Sequence, residues 1–424
     1  SAQIFGNVNI HIFPAPMVYG TMSSSSSSSD SCVKDPSRWW VLVAMSLNTA
    51  LNASLCMTFS TVEETAKVVL QASENQIANL YSVYLLTTVL GMTPAMYFVD
   101  KREATMVFFS NVFNVTCAWQ RWQGIDEGSN KYIASVASQV LCGMAAWPIF
   151  VLPGQVSHRR FPKEEQTLAT SLMLQANYFG WLLGSCVPPF FVDGEKSFVS
   201  LLLGQAIIAS ILGFLVLLFY RRPSSDAYAE IEEEQESQES SEVPAKTSGY
   251  LEVVYSFKTH PSFRMQILSH GLLGGISFAT PSALYFILDD MGFSGKVAIL
   301  ANFAFISCGV VSGVLLGYFC QSPRWYKKVL KGCYALCAVA LLCCALLVQF
   351  NLVKNTLLGL SVLIFLVAVA GGTSLGFLGI GIEAAALYPV KAAYVCWAVE
   401  SLVLASSAVL SSLAAQVSGF WVLG

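Results

Sequence analysis

The sequence predicts an all-α polytopic membrane protein built as two helical bundles, and three observations predict it. Eleven long apolar stretches run through the 424 residues. Each is about 20 residues or longer, the length a helix needs to cross a bilayer. Composition agrees: 55% of residues are hydrophobic and only 12% charged, against about 25% charged in a soluble domain, and mean hydropathy is +0.59. An acidic polar stretch divides the spans into six and five, the layout of one bundle, a long loop and a second bundle.

Residues 1–37 read as a disordered Ser-rich tail, because the run Ser23–Ser29 is too polar to build a core. Met22 stands directly before that run, so one expectation is that the chain starts there and that residues 1–21 stem from an upstream gene-model error. No basic segment precedes a short apolar core, and no secretory signal is predicted. The first bundle, 38–220, holds spans at about 39–59, 77–99, 103–120, 132–155, 166–192 and 198–220. An acidic linker follows at 221–258, polar and Pro-flanked through PSSDAYAEIEEEQESQESSEVPAKTS at 223–248. The second bundle, 259–424, holds spans at about 265–288, 297–320, 332–350, 356–386 and 392–420. Five spans stand where the first half has six, which predicts an incomplete second bundle lacking a twelfth helix.

Charge position orients the chain. With the N-terminus inside, seventeen of the 23 Lys and Arg residues fall on the cytoplasmic side and six on the other, the bias of cytoplasmic loops. Eleven of the 12 cysteines, all but Cys32, lie inside predicted spans, where Cys acts as a small hydrophobe. Neither a disulfide framework nor metal-ligand spacing is present. Phosphate-binding, nucleophile-elbow and zinc-binding motifs are missing, so no enzyme and no cofactor is predicted. No basic patch supports nucleic-acid binding. The expected partners are a small-molecule solute and the lipid bilayer, with the chain a monomer.

Several intramembrane residues carry chemistry. Asn48, Asn52 and Cys56 recur at i, i+4, i+8 and share one face of the first span. That face is expected to point inward, either lining a cavity or hydrogen-bonding to neighbouring helices. Gln175, Tyr178 and Trp181 lie three apart on the fifth span, a surface of rings and one amide suited to a flat or cationic organic solute. His270, on the seventh span, either relays protons or bonds a backbone carbonyl. Glu400 sits about 15 Å into the eleventh span, near the midplane. An acidic side chain there is expensive and therefore a functional expectation, as counter-charge or coupling group; a structural hydrogen bond is the alternative. Glu383 is expected at a gate or solvated position. Gly309, Gly313 and Gly317 make a close-packing face, and Gly371, Gly372, Gly376, Gly379 and Gly381 make the tenth span pliable.

The loop after the second span, GMTPAMYFVDKR, resembles the major facilitator signature: Gly91 on the helix, then Asp100 and Arg102 in the cytoplasmic loop. The matching place in the second half, GYFCQSPRWYKK, has Gln321 where an Asp is expected. Longer segments resemble the feline leukemia virus subgroup C receptor-related family. They are RWWVLVAMSLNTALNAS at 38–54, LYSVYLL at 80–86, LCGMAAWPIFVLPGQVSHRRFPKEEQTLATSLMLQANYFGWLLGSCVPPFFV at 141–192 and LYP at 387–389. The resemblance implies a major facilitator fold of six plus six helices, with choline, ethanolamine or haem-type cargo. It puts the family's cage Trp at Cys56 and the cage aromatic of the seventh span at Phe278, and it turns the family's Asn-Gln pair into Asn177–Tyr178. The expectation is a carrier whose cavity contains Asn48, Asn52, Cys56, Gln175, Tyr178 and Phe278, with Glu400 and His270 supplying charge or coupling. The alternative is a non-transporting receptor or scaffold that keeps the fold.

Overall fold

A computed structural model describes residues 37–126, 130–220, 249–350, 352–353 and 357–421. The tail before residue 37 and the linker at 221–248 lie outside the described residues. Among those described, the chain is helical and forms no strand.

Helix α1 (Arg38–Thr61) is the first span, followed by the short α2 (Glu63–Leu70). The second and third spans form one broken rod, α3 (Glu74–Gln123), interrupted where Arg102 leaves helical geometry at φ −142°, ψ 53°. Its start is fixed by a capping box: the Ser73 hydroxyl accepts from the Gln76 N–H, and the Gln76 side chain accepts from the Ser73 N–H. The fourth span is itself broken, into α4 (Lys131–Ile149) and α5 (Leu152–Arg160). Pro148 and Pro153 flank the break and remove backbone donors there. Helices α6 (Lys163–Phe191) and α7 (Glu195–Phe219) complete the first half.

The second half opens with α8 (Gly249–Thr259), a helix lying within the range read from sequence as linker. Then come α9 (Pro261–Asp290), α10 (Gly295–Phe319) and α11 (Pro323–Gln349). The tenth span splits into α12 (Leu357–Ser374) and α13 (Leu378–Ala385), and α14 (Ala392–Trp421) follows. The fourth and tenth spans, at corresponding places in the two halves, are thus both interrupted.

Eight helical stretches among the described residues are long and apolar enough to cross a membrane. The third, fifth and seventh predicted spans are helical but not among the eight. Each carries buried polar residues: Asn111, Asn114 and Arg121; Gln175 and Asn177; Gln266 and His270. These helices turn polar residues inward and apolar ones such as Phe108, Phe179 and Leu272 outward.

The halves meet along α6 and α10. A Cβ on Gly313 would lie 2.2 Å from Gln175 Nε2, and one on Gly317 2.6 Å from Ser171 Cβ. Glycine at these positions lets the two helices approach.

Candidate functional site

At one end of the molecule, basic and acidic side chains pair. Arg38 Nε donates to Glu165 at 3.0 Å. Arg160 donates to Glu103 Oε1 through Nη2 at 3.0 Å and Nε at 3.2 Å, and the Tyr220 hydroxyl donates to the same oxygen at 2.8 Å. The same end carries bonds between the halves. His158 Nε2 on α5 donates to Glu383 Oε2 on α13 at 3.0 Å, and the Thr170 hydroxyl donates to Glu383 Oε1 at 2.6 Å. The hydroxyls of Thr167 and Tyr326 lie 2.7 Å apart. The sequence singled out Glu383 but not Glu103, His158, Arg160 or Thr170. A signal was present in the charge-dense KRE and HRR runs at helix ends, but pairing depends on which ends the fold brings together.

Inward from this end, a cavity lies between the halves. Its lining draws on both: Thr49 from α1, Ile149, Phe150 and Pro153 at the break of the fourth span, Met173, Leu174, Asn177 and Tyr178 from α6, Phe278 from α9 and Glu400 from α14. The empty space among these residues, counting what is open to solvent, is about 280 Å³. At 1.5 Å per residue, Thr49, Tyr178 and Glu400 lie roughly 12–22 Å along their helices from the basic end.

The lining is apolar apart from four groups. The Glu400 carboxyl is 4% exposed, supplies the one acidic side chain, and makes no hydrogen bond or ion pair among the described residues. The hydroxyls of Thr49 and Tyr178 also lack hydrogen-bond partners there, as does the amide of Asn177, whose Oδ1 is enclosed. Tyr178 and Phe278 belong to a cluster of rings with Trp181. The centroids are 5.7 Å apart for Tyr178–Phe278, 4.6 Å for Trp181–Phe278 and 6.2 Å for Tyr178–Trp181, all edge-on. Thr49 was not singled out from sequence, because a Thr on an apolar helix carries no signal of its own.

The other residues read from sequence lie elsewhere, with one side chain undescribed. Asn48 and Asn52 do not line this cavity: their amides are engaged with α3 and α4. Asn48 Nδ2 donates to the Ser110 hydroxyl at 2.8 Å, and Asn114 Nδ2 donates to Asn48 Oδ1 at 2.9 Å. Asn52 Nδ2 donates to Asn114 Oδ1 at 2.8 Å and to the Cys142 carbonyl at 2.9 Å, while the Tyr84 hydroxyl donates to Asn52 Oδ1 at 3.2 Å. Cys56, fully buried, turns its thiol back to the Ala53 carbonyl at 3.1 Å. Gln175 is also outside the lining and bridges the halves, Nε2 donating to the Leu375 carbonyl at 2.9 Å. His270 is buried against Phe377 at 4.6 Å between ring centroids; neither ring nitrogen has a partner in good geometry, and its surroundings are protein, not the cavity. Gly91 lies beneath the Trp147 indole, where a Cβ would fall 1.8 Å from Cε2. Arg102 is exposed at the break in α3, and the side chain of Asp100 lies outside the described residues.

Arg121, counted from sequence among loop charges, is buried. It donates to the Leu55 carbonyl and, at 2.9 Å, to Gln139 Oε1, with its guanidinium 5.1 Å from the Phe59 ring centroid. Its long stem folds inward from the last turn of α3, which a hydropathy window does not register.

Beside the matched helix breaks and a cavity lined from both halves of the chain, residues 39–420 match the Major Facilitator Superfamily. The chain belongs to that superfamily. This facilitator is therefore a transporter-family protein and not an enzyme. It is 23% identical over 325 residues to solute carrier family 49 member A3 of Xenopus tropicalis, covering 74% of this chain and 65% of that one. It is 22% identical over 366 residues to the choline/ethanolamine transporter FLVCR1 of Felis catus, covering 82% and 61%. The chain thus spans a little under two thirds of the length of these relatives. Among solved structures, a bacterial homologue of the iron transporter ferroportin in an outward-facing state matches with TM-score 0.63 at 12% identity, covering 89% and 91%. The proton:xylose symporter XylE matches with TM-score 0.60 at 12% identity, covering 92% and 91%. Both likenesses concern the fold.

Proposed function

We propose that this facilitator carries a small organic cation across a membrane by alternating access, with Glu400 as the counter-charge. The observation that supports this most is the Glu400 carboxyl: buried, without a partner among the described residues, and lining a cavity that both halves border. Burying an unpaired carboxylate costs several kcal/mol. A cationic solute removes that cost by completing the pair, and the apolar lining receives its body. Relatives named as choline/ethanolamine transporters support an amine-type cargo.

The interrupted fourth and tenth spans supply the moving parts. Broken helices at corresponding places in two repeats are where such carriers bind and pivot. Here α5 and α13 hold each other through His158 and Glu383. The excess of Lys and Arg puts this end in the cytoplasm, so the bond closes the cytoplasmic side, and breaking it opens that side. Uptake of labelled organic amines into cells expressing the protein tests the reading. Glu400→Gln is expected to cut uptake at least tenfold. Unchanged uptake of every carried solute in that variant would remove Glu400 from the mechanism. If no solute moves in the parent protein either, a non-transporting receptor becomes the better account.

A further inference from the structure

We infer that the cargo's cationic nitrogen carries at least one N–H, and that Glu400 makes the cavity select such ammonium ions over fully substituted ones. This rests on the carrier reading and names its substrate class more narrowly.

Two ways exist to hold an organic cation. Ring faces can surround it, which suits a quaternary ammonium because no hydrogen bond is needed. Alternatively, acceptors can take its N–H groups, which only a nitrogen bearing hydrogen can satisfy. The rings near this cavity are arranged for each other. Trp181 and Phe278 meet edge-to-face at 86°, Tyr178 and Trp181 at 68°, Tyr178 and Phe278 at 63°. Trp181 is not part of the lining at all. Of the three rings, only Tyr178 and Phe278 border the cavity, too few for a three-walled cage.

The acceptors are arranged the other way. A carboxylate offers about four lone-pair sites and no donor, and at Glu400 no donor from the protein occupies any of them among the described residues. The Asn177 amide and the hydroxyls of Thr49 and Tyr178 add further unfilled acceptor capacity in the same lining. An N–H brings nitrogen to about 2.7–2.9 Å from a carboxylate oxygen. Methyl groups hold a quaternary nitrogen further off and leave every acceptor unfilled, the more costly condition in a buried site. One charge-assisted hydrogen bond accounts for about tenfold to hundredfold in affinity.

The test uses 2-phenylethylamine and its N-methyl, N,N-dimethyl and N,N,N-trimethyl derivatives, which share one apolar body. Binding is read as thermal stabilisation of the purified full-length protein, and transport as uptake into proteoliposomes. The three N–H compounds are expected to bind and move, with affinity falling at least tenfold from the tertiary to the quaternary member. Glu400→Gln is expected to flatten that step. Should the glutamine variant not fold, Glu400→Asp should weaken the three N–H compounds and leave the quaternary one unchanged. A quaternary member that binds and moves as well as the tertiary one overturns the inference and leaves the carrier reading standing. Ranked binding without uptake overturns the carrier reading and upholds the selectivity. Failure of all four to bind overturns the inference.

Discussion

Two polar clusters in this molecule are built to opposite rules. In the first half, Asn48, Asn52, Ser110, Asn114 and Tyr84 answer one another across α1 and α3, each amide meeting a partner at about the ideal distance. Glu103 and Arg160 are likewise deeply buried and paired. At the cavity, Glu400, Asn177, Tyr178 and Thr49 have no hydrogen-bond partner among the described residues. Buried polar groups in proteins are ordinarily satisfied. The first cluster is satisfied within the protein, whereas the second leaves polar groups open beside the cavity, which is the basis of the proposed site. Polarity alone does not separate the two, but partner count does.

The comparison breaks hardest at the paired charges. Arg160→Met takes from Glu103 its nearest cation, leaving the Tyr220 hydroxyl and Arg159 Nη1 at 3.9 Å, and the expected loss is about 3 kcal/mol of stability, read as lost folded protein in detergent. Mutating Glu103 to Gln in the same chain should recover much of that loss. Next comes the amide ladder. Asn52→Leu leaves Asn114 Oδ1 and the Tyr84 hydroxyl without a partner, at about 2–3 kcal/mol. Thermal unfolding should fall while uptake per folded molecule stays near the parent value; a selective loss of uptake would place Asn52 in the transport pathway instead.

Glu400→Gln should behave in the reverse manner. Uptake drops at least tenfold, about 1.4 kcal/mol or more, while stability holds or rises because an unpaired buried charge is gone. A destabilised Glu400→Gln would mean that the carboxyl has a structural partner after all. The smallest effect is expected at the bond between halves. Thr170→Val removes a 2.6 Å hydrogen bond to Glu383, worth about 1 kcal/mol. Cys396, fully buried, has its thiol beside Gly154 of the other half, and it should react several-fold faster with a membrane-permeant maleimide as the halves part. Unchanged labelling would show that Thr170 does not help hold the halves together.

The architecture was legible because the bilayer leaves little choice. A chain rich in long apolar stretches and poor in charges must satisfy its backbone within helices; the split of six and five around a polar loop is what raised the expectation of two bundles. The site was legible in part. Glu400 stood out because an acid deep in an apolar span is costly wherever it lies. Tyr178 stood out as a ring on a helix already carrying amides. Phe278 came from resemblance, since a Phe in an apolar helix looks like any other. Asn48 and Asn52 share a face by periodicity, but periodicity does not say what that face meets. Their partners lie 32 to 90 residues away.

By itself, the sequence determined helix, span and the cost of each buried polar group, because these depend on local hydrophobicity and on transfer from water. The tertiary structure alone decided which of those costs are met inside the protein. Arg160 reaches Glu103 across 57 positions, and His158 reaches Glu383 across 225. Such pairs exist only once helices distant in sequence pack side by side. Glu400 finds no such neighbour among the described residues, and that difference is invisible in a one-dimensional string because it depends on what the fold brings beside the carboxyl.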